Sequence, residues 1–341
     1  MHSETLENLS MFFLSRFNPE FSHEVAKKFM KREFFALGRF ASEESKVKLF
    51  DVELDNPFGI AAGFDKHAEL QDVIRNYGFG FIESGSYTFR GGEGNEKPRI
   101  FRDEETGGLI NRMGLNGIPA YVAKERLSEA KDSYFAVSIA KTHDPEILGE
   151  SAIRDIINSY KLLKNLGIYT AINVSCSNTA EGKTFEDQGI FREFVAEIIR
   201  VGKGRPLVFK FSPDLERENL EKLIDISYCI ADGYEAVNTL PIEHEIYGKG
   251  GLSGPSLRNN SRDMVSFLRE NTRKTILGCG GISTEKDAYR LEERGTKAFL
   301  VFNGFVYKHK ENPYAGLRFA YKINEGLINS RKNRFGPTKS L

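Results

Sequence analysis

Residues 275–304 read TILGCGGISTEKDAYRLEERGTKAFLVFNG. Two apolar runs, 275–281 and 297–304, each end in glycine and enclose a charged segment long enough for a helix. Short, nearly continuous apolar runs separated by helix-length segments describe a parallel sheet covered on its outer face. The same unit recurs upstream, with runs at 58–64, 79–85, 134–140, 169–176, 206–211 and 235–240, which brings the total to eight. Eight repeats predict a closed (β/α)8 barrel, the TIM-barrel form of the α/β class. An open doubly wound sheet shares the alternation, but its glycine fingerprint opens the first helix, whereas here the glycine-rich turns follow the later strands. The intervening segments agree: across 147–166, Ile153, Ile156, Ile157, Tyr160, Leu163 and Leu166 fall at helical spacing, and the pattern stops at Gly167.

Two insertions interrupt the repeat. The segment 98–112 alternates and carries Thr106-Gly-Gly108 at its middle, which predicts a β-hairpin overhanging the active face. Residues 1–45 predict a separate amphipathic extension ahead of a barrel spanning 46–341. In it Leu6, Leu9, Phe13 and Phe17 recur every three or four positions. A second helix starts at Asn18-Pro19, with Asn as N-cap and Pro at N1, and presents Phe21, Val25 and Phe29 on one face. Such a pair either caps the barrel or offers an apolar surface to a membrane or an apolar co-substrate.

Composition narrows the function. With 341 residues, 40% of them hydrophobic, the chain can bury one large core. Lys+Arg and Asp+Glu are both 48, so no global positive field recruits nucleic acid. Cys176, Cys229 and Cys279 are odd in number and contain no CxxC pair, which argues against a disulfide framework or a zinc site and for no bound metal. Cys229 and Cys279 read as small buried hydrophobes. No apolar run reaches the roughly 18 residues of a membrane span, and the N-terminus lacks a signal-peptide pattern.

In such barrels the chemistry lies where strands end, and phosphate is held after strands seven and eight. Gly278-Cys-Gly-Gly281 and Phe302-Asn-Gly304 stand there, and their bare backbone can approach a phosphate. Four amides, Asn111, Asn173, Asn178 and Asn238, are placed to bind a flat ligand with alternating donors and acceptors. Lys210, inside an apolar strand, calls for an electron-rich ligand atom as compensation. Cys176 lies in a polar strand-end loop between two serines, where a thiolate can serve as general base.

The motifs Ala61-Ala-Gly-Phe-Asp-Lys66, Asn111-Arg-Met-Gly-Leu-Asn116, Asn173-Val-Ser-Cys-Ser-Asn178, Lys210-Phe-Ser-Pro-Asp214, Gly250-Gly-Leu-Ser-Gly254 and Gly280-Gly-Ile282 together resemble dihydroorotate dehydrogenases, over nearly the whole chain. The resemblance is to the quinone-dependent class, through Phe17-Asn-Pro-Glu-Phe-Ser-His23 and through Arg102 after Pro98-Arg-Ile-Phe101. It implies FMN held by Ala62, Gly63, Ser86, Asn173, Lys210, Gly254, Gly281, Phe302 and Asn303. It implies dihydroorotate held by Lys66, Asn111, Arg112, Met113, Gly114, Leu115, Asn173, Asn178, Asn238 and Thr239. Cys176 would take the proton and the flavin the hydride, giving orotate for pyrimidine synthesis. Quinone would then accept the electrons past His23 and Arg102, at the cytoplasmic side of a membrane touched peripherally by the N-terminal helices.

The sequence also departs from that class. Cys176-Ser177 stands where the quinone class carries serine followed by proline, and is similar in this to the soluble class and to dihydropyrimidine dehydrogenases. Ser138 and Val237 replace an asparagine and a threonine, Leu115 replaces a phenylalanine, and Phe302 and Asn303 replace a tyrosine and a hydroxyl residue. Two other readings accommodate these changes: a flavin oxidoreductase for another dihydropyrimidine or with a soluble acceptor, and a barrel that binds a ligand without catalysis.

Overall fold

Eight parallel strands close on one another in chain order: β3 (Phe58–Ile60), β4 (Phe81–Tyr87), β7 (Phe135–Ile139), β8 (Thr170–Asn173), β9 (Leu207–Phe211), β10 (Gly233–Ala236), β13 (Thr275–Cys279) and β14 (Ala298–Val301). The computed structural model describes residues 18–33, 36–174, 184–306 and 316–335. The first predicted helix, Cys176 and Asn178 lie outside them. Each barrel strand corresponds to one of the eight apolar runs, as expected of a TIM barrel.

Alternate residues of each strand face inward. Phe81, Ala171, Val208, Leu277 and Leu300 fill the barrel, whereas Ile82, Ile172, Phe209 and Phe299 pack outward against helices. The helices include α1 (Pro19–Lys31), α2 (Ala120–Ser128), α3 (Gly149–Leu163), α4 (Gln188–Val201), α5 (Arg217–Ser227), α6 (Arg258–Asn271), α7 (Glu285–Glu292) and α8 (Phe319–Phe335). In α3 the predicted face, Ile153, Ile156, Ile157, Tyr160 and Leu163, is the buried one. Each such side chain contributes about 1.5–3 kcal/mol of hydrophobic stabilisation. A short hairpin, β1 (Val47–Leu49) and β2 (Val52–Leu54), buries Leu49 and Leu54 in the inner core. Its Phe50 lies 5.8 Å from the ring of Tyr169, just ahead of β8, so the hairpin plugs the N-terminal end. The opposite end is left for a site.

Over that end lies a four-stranded antiparallel sheet of, in order, β11 (Leu240–His244), β12 (Gly248–Ser253), β6 (Gly108–Asn111) and β5 (Ile100–Asp103). β5 (Ile100–Asp103) and β6 (Gly108–Asn111) form a hairpin whose turn contains Gly107 at φ +65°. The other half corrects the sequence reading, in which 235–240 is a single strand. β10 stops at Ala236, and Leu240 opens a second hairpin, β11 (Leu240–His244) with β12 (Gly248–Ser253). Pro241 cannot donate to a central strand, but β11 is an edge strand and tolerates it.

Helix α1 begins as predicted, with Asn18 Oδ1 accepting from the Glu20 amide at 2.9 Å and Pro19 at N1. Of the predicted apolar face, Val25 and Phe29 are half-buried and Phe21 is exposed, while Glu20, Lys27 and Met30 are buried. Ion pairs explain the buried charges. Arg99 Nη2 sits 2.6 Å from Glu20 Oε1, and Lys27 Nζ lies 2.9 Å from Glu24, so these polar groups are compensated on burial. Cys229 likewise differs from its reading: it follows α5 and is exposed.

Candidate active site

The loop after β3 is built around Asp65. Its buried carboxylate accepts from the amides of Glu69 (2.8 Å) and Leu70 (3.0 Å) and from Gln71 Nε2 (3.0 Å). Gly63, at φ +96°, donates its N–H to Gly85 O at 2.7 Å, which fixes the turn. Lys66 is thereby held over the barrel mouth, where Nζ donates to Asn116 Oδ1 at 2.7 Å. Asn116 was not singled out from the sequence, although it closes the Asn111–Asn116 motif.

Three of the four predicted amides meet here. Asn111, at the end of β6, donates from Nδ2 to Gly251 O at 3.0 Å, which ties the two overhanging hairpins together. Asn238 Nδ2 donates to Asn173 Oδ1 at 3.1 Å, and the Thr239 amide donates to Asn238 Oδ1 at 2.8 Å. β10 ends at Ala236 and the chain runs on along the rim, where the Val237 amide donates to Cys279 O at 2.7 Å and the Asn238 amide to Phe211 O at 2.9 Å. A cavity enclosing ≈ 1290 Å³ of empty space, part of it open to solvent, is lined by Lys66, Asn111, Asn116, Asn173, Asn238 and Thr239. It is also lined by Ala62, Gly63, Ser86, Met113, Leu115, Lys210, Gly254, Gly281, Phe302, Asn303 and His23. Arg102, Arg112 and Gly114 do not line it. Arg112 instead turns along the hairpin, where Nε donates to Pro98 O at 3.3 Å. Gly114 makes a left-handed turn at φ +68°.

At one end of the cavity the wall is glycine. A Cβ on Gly254 would come within 2.9 Å of Gly108 Cα, one on Gly281 within 2.7 Å of Arg258 N, and one on Gly304 within 2.3 Å of Ile282 O. Side chains are excluded there by contact, so bare backbone from three turns faces the space, together with Ser283. Such a wall fits a phosphate. Gly304 belongs to the strand-eight turn expected to approach a phosphate; Ser283 and Ser253 have no role in the sequence reading, because only the closed barrel brings the turn after β13 to the end of β12.

The floor corrects another expectation. Lys210 Nζ lies 2.5 Å from Glu235 Oε1 and 3.7 Å from Glu83 Oε1, so its charge is compensated by protein carboxylates and needs no ligand. Tyr169 OH donates to Glu83 Oε2 at 2.9 Å. Burial alone would lower the Lys210 pKa, but the neighbouring acidic groups, Glu235 foremost, raise it well above its ordinary value. Cys279 also belongs to this cluster, and burial pushes its thiol up to about 12. It differs from the buried hydrophobe of the sequence reading in being only half-buried and in lining the cavity.

His23 reaches the cavity from α1 and meets Phe64 edge-on, with ring centroids 4.7 Å apart. Burial, then the charges of Lys27 and Lys66, push its pKa down to about 3, so the ring is neutral. Among the described residues its Nε2 has no hydrogen-bond partner. A ligand group with one polar atom fits that position. Taken together the cavity offers a glycine wall suited to phosphate, a floor with an ion-paired lysine, an amide cluster and an aromatic corner. These residues fit a flat, phosphate-bearing ligand beside a small polar one.

Comparison with known proteins agrees. The family model for dihydroorotate dehydrogenase matches residues 44–327. The chain is 33% identical to the dihydroorotate dehydrogenase (quinone) of Haloarcula marismortui over 295 residues, which covers 84% of this chain and 81% of that one. It is 31% identical to the enzyme of the same name from Christiangramia forsetii, covering 86% and 92%. Among solved structures, the dihydroorotate dehydrogenase of Eimeria tenella in complex with ferulenol superposes with a TM-score of 0.82 at 27% identity, covering 94% of this chain and 93% of that one.

Proposed function

The chain belongs to the dihydroorotate dehydrogenase family, and on that premise we propose that it oxidises dihydroorotate to orotate in pyrimidine biosynthesis, with FMN as its cofactor and a quinone as electron acceptor. The observation that carries this reading is one cavity in which Lys66, Asn111, Asn173, Asn238 and Thr239 converge beside the glycine wall and above Lys210. FMN, when bound, supplies the hydride acceptor. Everything else falls to the protein. Gly254, Gly281 and Gly304 hold the phosphate. Lys210 and Ser86 face the ring, and Lys66 pairs with the substrate carboxylate. The amides orient the pyrimidine, since each offers both a donor and an acceptor. Cys176 takes the substrate proton; as a thiol it ionises far more readily than a serine hydroxyl.

The neutral His23 ring and its unpartnered Nε2 support an acceptor site where α1 meets the cavity. No described helix is long and apolar enough to cross a membrane, so contact with a quinone-bearing bilayer would be peripheral and through the N-terminal segment. The test is spectroscopic. The purified protein should carry flavin absorbance, anaerobic dihydroorotate should bleach it, and a short-chain quinone should restore it. A protein without flavin absorbance after supply of FMN, or one whose absorbance dihydroorotate leaves unchanged, would overturn the assignment.

A further inference from the structure

Glu235 is a buried acid that the reaction above does not use. It is the register partner of Lys210 across β10 and β9. Glu83 and Glu235 have 0% exposed surface, and Lys210 has 5%. Four ionisable groups face Glu235: Lys210 from β9, Glu83 from β4, Cys279 from β13, and Tyr169 from just ahead of β8. Of the carboxylates and the ammonium, Lys210 alone lines the cavity; Glu235 stands behind it.

Two carboxylates against one ammonium would leave a net negative charge in the barrel interior. That is costly in a medium of low dielectric, and the usual relief is a proton retained by one of two carboxyls that share a site. The other neighbours cannot relieve it. Burial drives the Tyr169 hydroxyl well above its ordinary pKa and the Cys279 thiol up to about 12, so both remain neutral. Tyr169 donates to Glu83 Oε2, which satisfies that oxygen from within the protein. Glu235 is left as the acid: burial, then the charge of Glu83, push it up to about 8 despite the opposing pull of Lys210.

We propose that Glu235 is a positioning residue for Lys210 that retains one exchangeable proton beneath the cavity, shared with Glu83, so that the floor is neutral with the proton and negative without it. The premise rests on the buried cluster alone, and the consequence for the cofactor rests on the flavin reading. Only a proton moves: the carboxyl O–H bond forms or breaks in exchange with solvent, and no electron is transferred within the floor. A negative floor opposes electron density in the cavity above it, so the protonated floor favours the reduced cofactor.

Infrared spectroscopy of the full-length protein as purified tests the premise. The wild type should show a buried protonated-carboxyl band at pH 7 that is lost on titration through about pH 8. The band should be missing from both Glu235→Gln and Glu83→Gln, because one carboxylate facing one ammonium needs no proton. Either variant decides if the other misfolds by circular dichroism. A wild type without the titrating band, or a band that survives in a folded variant, overturns the proposal. The midpoint potential of the bound flavin tests the consequence: wild type and Glu235→Gln should coincide below pH 7 and separate above pH 8, with the wild type lower. Parallel potentials across the whole range would break the link to the cofactor. A protein that carries no flavin would defeat the functional reading while leaving the infrared result in force, so the two failures are distinguishable.

Discussion

Cys176, Gly281 and His23 each exert their effect through a different property of one residue. If Cys176 removes the substrate proton, Cys176→Ala should slow anaerobic bleaching of the flavin by dihydroorotate by roughly 10²–10⁴-fold while leaving flavin content unchanged. Cys176→Ser should retain activity with a pH profile displaced upward, since an alkoxide forms at much higher pH than a thiolate. Stopped-flow reduction across pH measures both. Gly281 is constrained by geometry, with φ +72° and a Cβ position 2.7 Å from Arg258 N. Alanine there costs about 1–2 kcal/mol in left-handed strain, and the displaced wall should weaken FMN binding about tenfold in a fluorescence titration. His23 is held neutral by burial, with a folded pKa of about 3 against an ordinary 6.5. The folded state therefore binds fewer protons than the unfolded one. Its contribution is present above pH 6.5 and is lost as pH falls from there towards 3. The thermal midpoint of the wild type should fall more steeply over that window than that of His23→Leu.

At the scale of elements, α1 and the overhanging hairpins decide what the cavity can receive. Helix α1 is legible from Asn18-Pro19, because a cap and a fixed φ are local properties. The face it buries is not, since Glu20 meets Arg99 only after β5 is laid beside it. Removing the Arg99 side chain would leave the Glu20 carboxylate buried without its main partner, at a cost of about 3 kcal/mol. Arg99→Ala should therefore increase hydrogen exchange in α1. It should also impair reoxidation by quinone, while reduction by dihydroorotate is spared; equal loss of both half-reactions would show that α1 serves the fold alone. The hairpin at β5 and β6 was readable from alternation around Thr106-Gly-Gly108. The one at β11 and β12 was hidden, because the apolar run of β10 continues into Leu240 without a turn signal. Register with β6 separates them: Gly251 pairs with Asn111, a contact formed across 140 residues of chain.

For the molecule as a whole, the glycine wall predicts that the phosphate supplies much of the cofactor's affinity. FMN at 100 times its dissociation constant should stabilise the protein by about 2.7 kcal/mol, which appears as a rise of several degrees in the thermal midpoint. Riboflavin, lacking the phosphate, should raise it far less at the same concentration. Equal shifts would place the affinity in the ring contacts instead. The sequence by itself determined the eight-stranded barrel, because strand and helix periodicities are local and glycine turns mark the end at which ligands bind. It also supplied most of the cavity: Lys66, Asn111, Asn173, Asn238, Gly254 and Gly281 were named from motifs and all line it. Only the tertiary structure decided what compensates Lys210. Glu83 and Glu235 lie 127 and 25 residues from it in sequence, and read as single charges in otherwise apolar strands. Barrel closure points all three side chains into one low-dielectric interior, where the count of charges, and with it the need for a retained proton, is set by proximity across strands and not by the order of residues along the chain.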